Sequence, residues 1–243
     1  MFFYYVYYGS LIVLIPGIIF SIWAQYRISS TFKKYSREEA KSRWTANEMS
    51  MMLLERNDCK SVAVRRIGGN LTDNYNPSTD VLSLSNSTYG QTSISAIGVA
   101  AHECGHAVQK HSGSILLRLR SFLVPITNIG SRLAVPIAIL GVILEWLIVS
   151  ETGTNFGSYV VAIGILLYSL STVFALITLP VEIDASRRAI TMLKNTAVLD
   201  DEEIRKASKV LYAAALTYVA ALLTSFLYLI RFILILGRYR RND

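Results

Sequence analysis

The sequence predicts an α-helical integral membrane protein with about four transmembrane helices and a small α+β segment between the first two. Three observations lead there. Apolar residues make up 52% of the 243 positions and mean hydropathy is +0.40, while only 17% of residues are charged. The apolar excess is gathered into charge-free runs as long as the roughly 20 residues a bilayer core requires. Charge returns in two stretches, 27–120 and 180–209. A single soluble domain, a disordered chain and a collagen-like chain are all excluded by this composition. A net charge of +7 would suggest nucleic acid in a soluble protein, but here Lys and Arg flank apolar runs, so no nucleic-acid partner is expected. Two cysteines, Cys59 and Cys104, are too few for a disulfide framework and read as free thiols.

Residues 1–26 carry no charge, place Tyr4, Tyr5, Tyr7, Tyr8 and Trp23 near the two ends, and precede Arg27, Lys33, Lys34 and Arg37. That is the pattern of a first span with interfacial aromatics, without the basic start and small-residue cleavage site of a signal peptide. In the 27–120 segment, Thr45 is placed to cap a helix running to Arg56, with Glu48 completing a capping box. The run 61–67 alternates like a strand and stops at Gly68-Gly69, and 73–78 is rich in turn residues. Val81, Leu82, Ser83, Leu84 and Ser85 alternate again and, being half polar, read as an edge strand. Thr92 or Ser93 then opens an apolar helix that extends past His106. A membrane hairpin helix follows over 121–150, interrupted by Arg132 and Glu145 and bent at Pro125 and Pro136. A third span covers 156–179 and is ended by Pro180, a polar helical stretch fills 180–209, a fourth span takes 210–236, and 237–243 is a basic tail.

Four spans put 27–120 and 180–209 on the same side, which holds 19 of the 24 Lys and Arg. The positive-inside rule makes that side cytoplasmic and the protein a multi-pass component of the cell membrane; Arg238, Arg240 and Arg241 in the tail dissent.

The chemistry lies in His102-Glu103-Cys104-Gly105-His106. Positions i and i+4 share one helix face, so both imidazoles can reach one Zn2+ ion. Glu103 lies about 100° around the axis from His102, where a carboxylate serves as general base toward a metal-activated water. Two of the only three histidines fall in this motif, and unpaired His and Glu are costly on an apolar helix unless they have a purpose. A catalytic zinc takes three protein ligands and keeps one position open. No third histidine has suitable spacing, so the third ligand must be a carboxylate, with Glu182 and Asp184 as candidates. These two are about 200° apart on a helix and do not both face one ion; Asp184 can instead support a ligating histidine or pair with Arg188. Arg187 or Arg188 is a candidate for stabilising the oxyanion of a tetrahedral intermediate. Cys104 points away from the histidine face and reads as a small buried hydrophobe.

Three separated stretches are familiar together: Gly69-Asn70-Leu71-Thr72-Asp73, the run from Ser95 through His102-Glu103-Cys104-Gly105-His106 to Gln109, and Leu179-Pro180-Val181-Glu182-Ile183-Asp184-Ala185-Ser186-Arg187-Arg188-Ala189. With them the chain resembles the YugP-like neutral zinc metallopeptidases of bacteria and, more distantly, the HtpX-type membrane proteases of the gluzincin clan. The resemblance implies a zincin-like metalloprotease domain and a zinc-dependent membrane endopeptidase, with His102, His106 and Glu182 as ligands and Glu103 as base. There is one departure. The wider clan places Asp four residues after the ligating Glu, where this chain has Ser186.

An extended protein or peptide substrate is expected to add to a strand edge, for which Val81, Leu82, Ser83, Leu84 and Ser85 are the candidates, close to the bilayer surface. The lipid bilayer is thus one partner; a homo-oligomer or a membrane partner protein is left open by the sequence. A non-catalytic multi-span scaffold with a structural metal is the competing class, but a structural site is normally closed by four ligands and has no need of Glu103.

Overall fold

The computed structural model describes residues 9–152 and 156–239. Tyr4, Tyr5, Tyr7 and Tyr8, residues 153–155 and the tail arginines Arg240 and Arg241 lie outside the described residues. After a 3-10 turn at Ser10–Leu14 come α1 (Ile15–Tyr35), α2 (Ala46–Arg56), β1 (Ala63–Arg66), β2 (Asn74–Asn76), β3 (Val81–Leu84), α3 (Ile94–His111), α4 (Ile115–Thr152), α5 (Phe156–Thr196) and α6 (Asp201–Tyr239). Among the described residues four helical stretches are long and apolar enough to cross a membrane: Ser10–Tyr35, Ile115–Glu145, Phe156–Thr196 and Asp201–Leu234. The chain forms two compact units, one of Met1–Ile22, Phe122–Ile177 and Val219–Asp243, the other of Trp23–Ser121 and Thr178–Tyr218.

In the first unit the apolar side chains turn outward. Ile12, Ile129, Leu166 and Leu176 are exposed, as residues facing lipid should be. Small residues let α4 and α5 touch: a Cβ on Gly157 would lie 2.4 Å from the Gly141 carbonyl oxygen, and one on Gly164 2.9 Å from that of Ala134. Glu145, a candidate interruption of the second span, is buried and does a local job. Its carboxylate accepts from the Ser158 N–H at 2.7 Å and the Ser158 hydroxyl at 3.0 Å, satisfying donors in the first turn of α5.

The second unit has a water-soluble type of core. Met49 and Leu53 of α2, Leu82 and Leu84 of β3, Ile94 and Ile97 of α3, Leu193 of α5 and Val210 of α6 are fully or almost fully buried in one cluster. Burial of side chains of this size stabilises by about 1.5–3 kcal/mol each. Thr45 caps α2 with the full capping box, its hydroxyl accepting from the Glu48 N–H while Glu48 accepts from the Thr45 N–H. Ser93 caps α3 by accepting from the Ala96 N–H.

Three expectations are corrected here. First, Val81–Leu84 is the central strand of a three-stranded sheet of order β1-β3-β2, parallel to β1 and antiparallel to β2, so it offers no free edge. The serines that read as solvated are buried and satisfied within the protein: Ser83 accepts from Arg65 Nε, and Ser85 is held by both oxygens of Asp73 at 2.7 and 2.8 Å. Second, the turn-rich stretch contains the edge strand β2, which pairs Tyr75 with Leu82. The Gly69–Asp73 run makes the loop that lays β2 alongside, with Gly69 at φ +98° and the Leu71 N–H donating to Ser87 Oγ at 3.0 Å. Third, Pro180 does not end the third span, since α5 continues through it to Thr196. The proline forfeits one helical hydrogen bond, a loss tolerated within long apolar helices whose neighbours hold the backbone in place. The same holds for Pro125 and Pro136 inside the single long helix α4.

Candidate metal centre

The sequence spacing puts His102 and His106 on one face of α3, with ring centroids 4.8 Å apart and planes at 82°. Residue 105 decides what meets that face. A Cβ on Gly105 would lie 2.4 Å from the Ala185 carbonyl oxygen, so the glycine allows α3 and α5 to touch backbone to backbone. The space it leaves is filled by α5 itself, one turn beyond Glu182.

That contact delivers Glu182 to the histidines. Its Oε2 is 3.1 Å from His102 Nε2 and 3.6 Å from His106 Nε2, and the three ligand atoms all lie within 4.8 Å of one another. Two ligands on a tetrahedral ion at about 2.0–2.1 Å are roughly 3.3 Å apart, so the cluster has the dimensions of a zinc site. Glu182 is 1% exposed, and an anion that deep requires a cationic counterpart. Arg120, in the first turns of α4, supplies part of it: Nη1 is 2.9 Å from Glu182 Oε1, an ion pair at an angle that makes no hydrogen bond. The carboxylate thus has one oxygen toward Arg120 and the other toward the imidazoles. Tyr218 of α6 is turned toward the same carboxylate.

The remote nitrogens of both rings are committed. His102 Nδ1 lies 3.1 Å from Ser186 Oγ, and His106 Nδ1 lies 2.9 Å from Gln109 Oε1. With Nδ1–H donating, each Nε2 is left as a lone pair for a metal. Gln109 is buried and fully used: its Nε2 donates to the Val181 carbonyl and to Asp184 Oδ2, both at 2.8 Å. Asp184 also accepts from Arg188 Nε at 2.8 Å. A chain from His106 through Gln109 and Asp184 to Arg188 therefore braces one ligand, and Ser186 braces the other.

Glu103 is buried beside this cluster. Burial pushes its carboxyl up to about 7; His102 and the Tyr75 backbone N–H pull it down, and the charges of Glu182 and Asp73 push it further up. The edge strand β2 packs against α3, the helix that carries Glu103.

Of the residues singled out from sequence, the structure brings together His102, His106 and Glu182, keeps Glu103 alongside, and places Asp184 one hydrogen-bonded step behind His106. Arg187 is exposed and Arg188 is engaged by Asp184, so Arg120 is the arginine that reaches the cluster. Val81, Leu82, Ser83 and Leu84 form the central strand and Ser85 follows it, held by Asp73, as described above. His111 ends α3 near Asp80, at 3.3 Å from Oδ1. Sequence reasoning missed Arg120, Gln109 and Ser186. Gln109 follows His106 by three positions and Ser186 follows Glu182 by four, so helical spacing alone was enough to nominate both.

Comparison with known proteins bears on this geometry. A family model described as "Putative neutral zinc metallopeptidase" matches residues 10–237, nearly the whole chain. The chain belongs to this zinc metallopeptidase family. It is also 40% identical over 222 residues to "Putative membrane protease YugP" of Bacillus subtilis (strain 168), covering 91% of this chain and 93% of that protein. No solved structure matches the chain. The family implies Zn2+, and two neutral imidazoles, one carboxylate and satisfied remote nitrogens fit that ion.

Proposed function

We propose that the protein is a membrane-embedded zinc endopeptidase whose ligands are His102, His106 and Glu182 and whose general base is Glu103. The observation that carries this reading is the convergence of three ligand atoms within 4.8 Å with a buried fourth residue, Glu103, held beside them. Zinc held by three side chains with one position open supplies an activated water near neutral pH and polarises a carbonyl.

The protein's own residues do the rest. Glu103 takes a proton from the attacking water and returns it to the leaving amine as the peptide bond breaks. Burial raises the proton affinity of this carboxylate, which suits it to taking up the proton. Ser186 and Gln109 hold the two imidazoles in the required tautomer and orientation. Arg120 fixes Glu182 through Oε1 and leaves Oε2 for the histidine side.

The outer edge of β2 is the substrate-binding edge in this reading. β2 packs against α3, the helix that carries Glu103 and the histidines, so an extended peptide adding at its free edge would run close to the site. Main-chain pairing recognises unfolded segments more than particular sequences. Four apolar helices, one of which carries Glu182, favour membrane or membrane-proximal proteins as substrates. The charge distribution of the loops favours action at the cytoplasmic face of the cell membrane.

The test compares the purified native protein with Glu103→Gln for zinc content and for cleavage of an unfolded membrane-protein substrate. Retained zinc with cleavage lost by at least about 100-fold is expected. A Glu103→Gln protein that still cleaves removes Glu103 as base, and a native protein without zinc removes the reading altogether.

A further inference from the structure

We propose that the protein carries a second binding site, for the phosphodiester headgroup of an anionic membrane lipid, between the end of α1 and the start of α6. A cavity of about 430 Å3 lies there, within the roughly 300–1,000 Å3 range of small-molecule sites. It is lined by Arg27 and Lys34 of α1 and Lys209 of α6, with the hydroxyls of Thr31, Ser208 and Tyr212 between them. Arg27, Thr31 and Lys34 stand at i, i+4 and i+7, a single stripe along α1 facing the first turns of α6.

The polar groups of this cavity are unspent. Among the described residues no carboxylate pairs with Arg27, Lys34 or Lys209, and no Asp or Glu lines the space. The contrast with the next basic residue on α6 is sharp: Lys206 is held by Glu38 at 2.7 Å and Glu202 at 2.9 Å. Nor does any hydrogen bond within the described protein engage the hydroxyls of Thr31, Ser208 or Tyr212. Three cations facing one cavity repel one another, and an anion with several acceptor oxygens relieves that repulsion while using the hydroxyl donors.

The surroundings identify the source of the phosphate. Arg27 stacks over the Trp23 ring at 5.4 Å, and Lys34 over the Tyr35 ring at 5.3 Å. Trp23 and Tyr26 are 42% and 73% exposed at the point where the apolar run of α1 gives way to basic residues, and Tyr212 is 62% exposed on the facing helix. Exposed aromatics beside cations at the end of a span mark the headgroup level of a bilayer. A lipid seated here presents its phosphate to the cavity and its chains to the apolar side of α1.

The experiment uses native mass spectrometry of the full-length protein released from nanodiscs of equimolar phosphatidylglycerol and phosphatidylcholine. The native protein is expected to retain phosphatidylglycerol in preference to phosphatidylcholine. The triple variant Arg27→Gln, Lys34→Gln, Lys209→Gln should lose that preference by on the order of 100-fold, since each lost charge-assisted contact to the phosphate costs about a factor of five. A charge-conserving triple, Arg27→Lys, Lys34→Arg, Lys209→Arg, should keep it within about fivefold, which separates loss of charge from loss of fold. An off-cavity triple, Lys33→Gln, Arg37→Gln, Arg205→Gln, should also stay within about fivefold. An equal loss in the off-cavity triple overturns the proposal in favour of diffuse surface charge. Displacement of the lipid by an excess of inorganic phosphate overturns it in favour of a soluble anion.

Discussion

Gly105→Ala tests whether one backbone contact builds the metal centre. The new Cβ would stand 2.4 Å from the Ala185 carbonyl oxygen, 3.0 Å from its carbon and 3.2 Å from its Cα, all backbone atoms that cannot rotate away. Ordinary van der Waals contact begins at 3.4 Å, so α3 and α5 must part by about 1 Å. His102 and His106 ride on one of these helices and Glu182 on the other. Metal–ligand distances tolerate only about 0.2 Å, so a 1 Å separation detaches the carboxylate or one imidazole. Zinc affinity should fall by at least the roughly 10–100-fold seen when a supporting group is lost. Fold stability is the less telling readout, because overpacking costs about 1–3 kcal/mol while Gly to Ala in a helix returns about 1 kcal/mol. Zinc titration of the purified, metal-stripped protein measures the effect. The same helix supplies the control: a Cβ on Gly98 meets Ala207 at an ordinary 3.4 Å, so Gly98→Ala should bind zinc as the native protein does. A Gly105→Ala protein with undiminished zinc affinity refutes the claim that this contact sets the ligand geometry.

Other expectations follow from neighbouring residues. Gln109→Leu removes the acceptor for His106 Nδ1–H and leaves Asp184 and the Val181 carbonyl without their amide donor; zinc affinity should drop about 10–100-fold, read by competition with a chelating dye. Ser186→Ala deletes the corresponding support of His102 and should cost a similar factor, whereas Ser186→Thr, which keeps the hydroxyl, should cost less. Cys104 is fully buried and burial pushes its thiol up to about 12, so alkylation at pH 7.5 should leave it unmodified in the folded protein and label it after denaturation, as peptide mass spectrometry would show. Labelling of Cys104 in the folded state would mean that α3 is not packed against α2 as described.

Much of the centre could be read from the chain because its chemistry sits on helical spacing. His102 and His106 needed only the i, i+4 rule, and Thr45 with Glu48 only the capping-box pattern. The angular separation of Glu182 and Asp184 showed that only one of them could face the ion, the family resemblance pointed to Glu182, and the structure turns Glu182 to the imidazoles and Asp184 to Gln109. The sheet was harder. Asn74-Tyr75-Asn76 sets one strand-favouring tyrosine between two turn-forming asparagines and is held as a strand by its pairing with β3, a tertiary override of the asparagines' local preference. Ser83 and Ser85 suggested a wet edge because a sequence does not display the partners, Arg65 and Asp73, that make burial of a hydroxyl affordable. Arg120 lies in a different helix from every ligand, so no periodicity connects it to Glu182.

The groups behind the imidazoles have a consequence for any dication held between them. A carboxylate at the remote nitrogen would draw the proton outward and make the ring a richer electron donor. Here a hydroxyl and an amide stand in those places, both without formal charge. With a dication held by His102, His106 and Glu182, Glu182 would be the single anion among those ligands, and Arg120 would offset part of its charge. A dication so weakly compensated would keep more of its positive field for a further ligand. With Ser186 rather than an acid behind His102, an ion held there would be a stronger Lewis acid than one whose ligand is backed by a carboxylate.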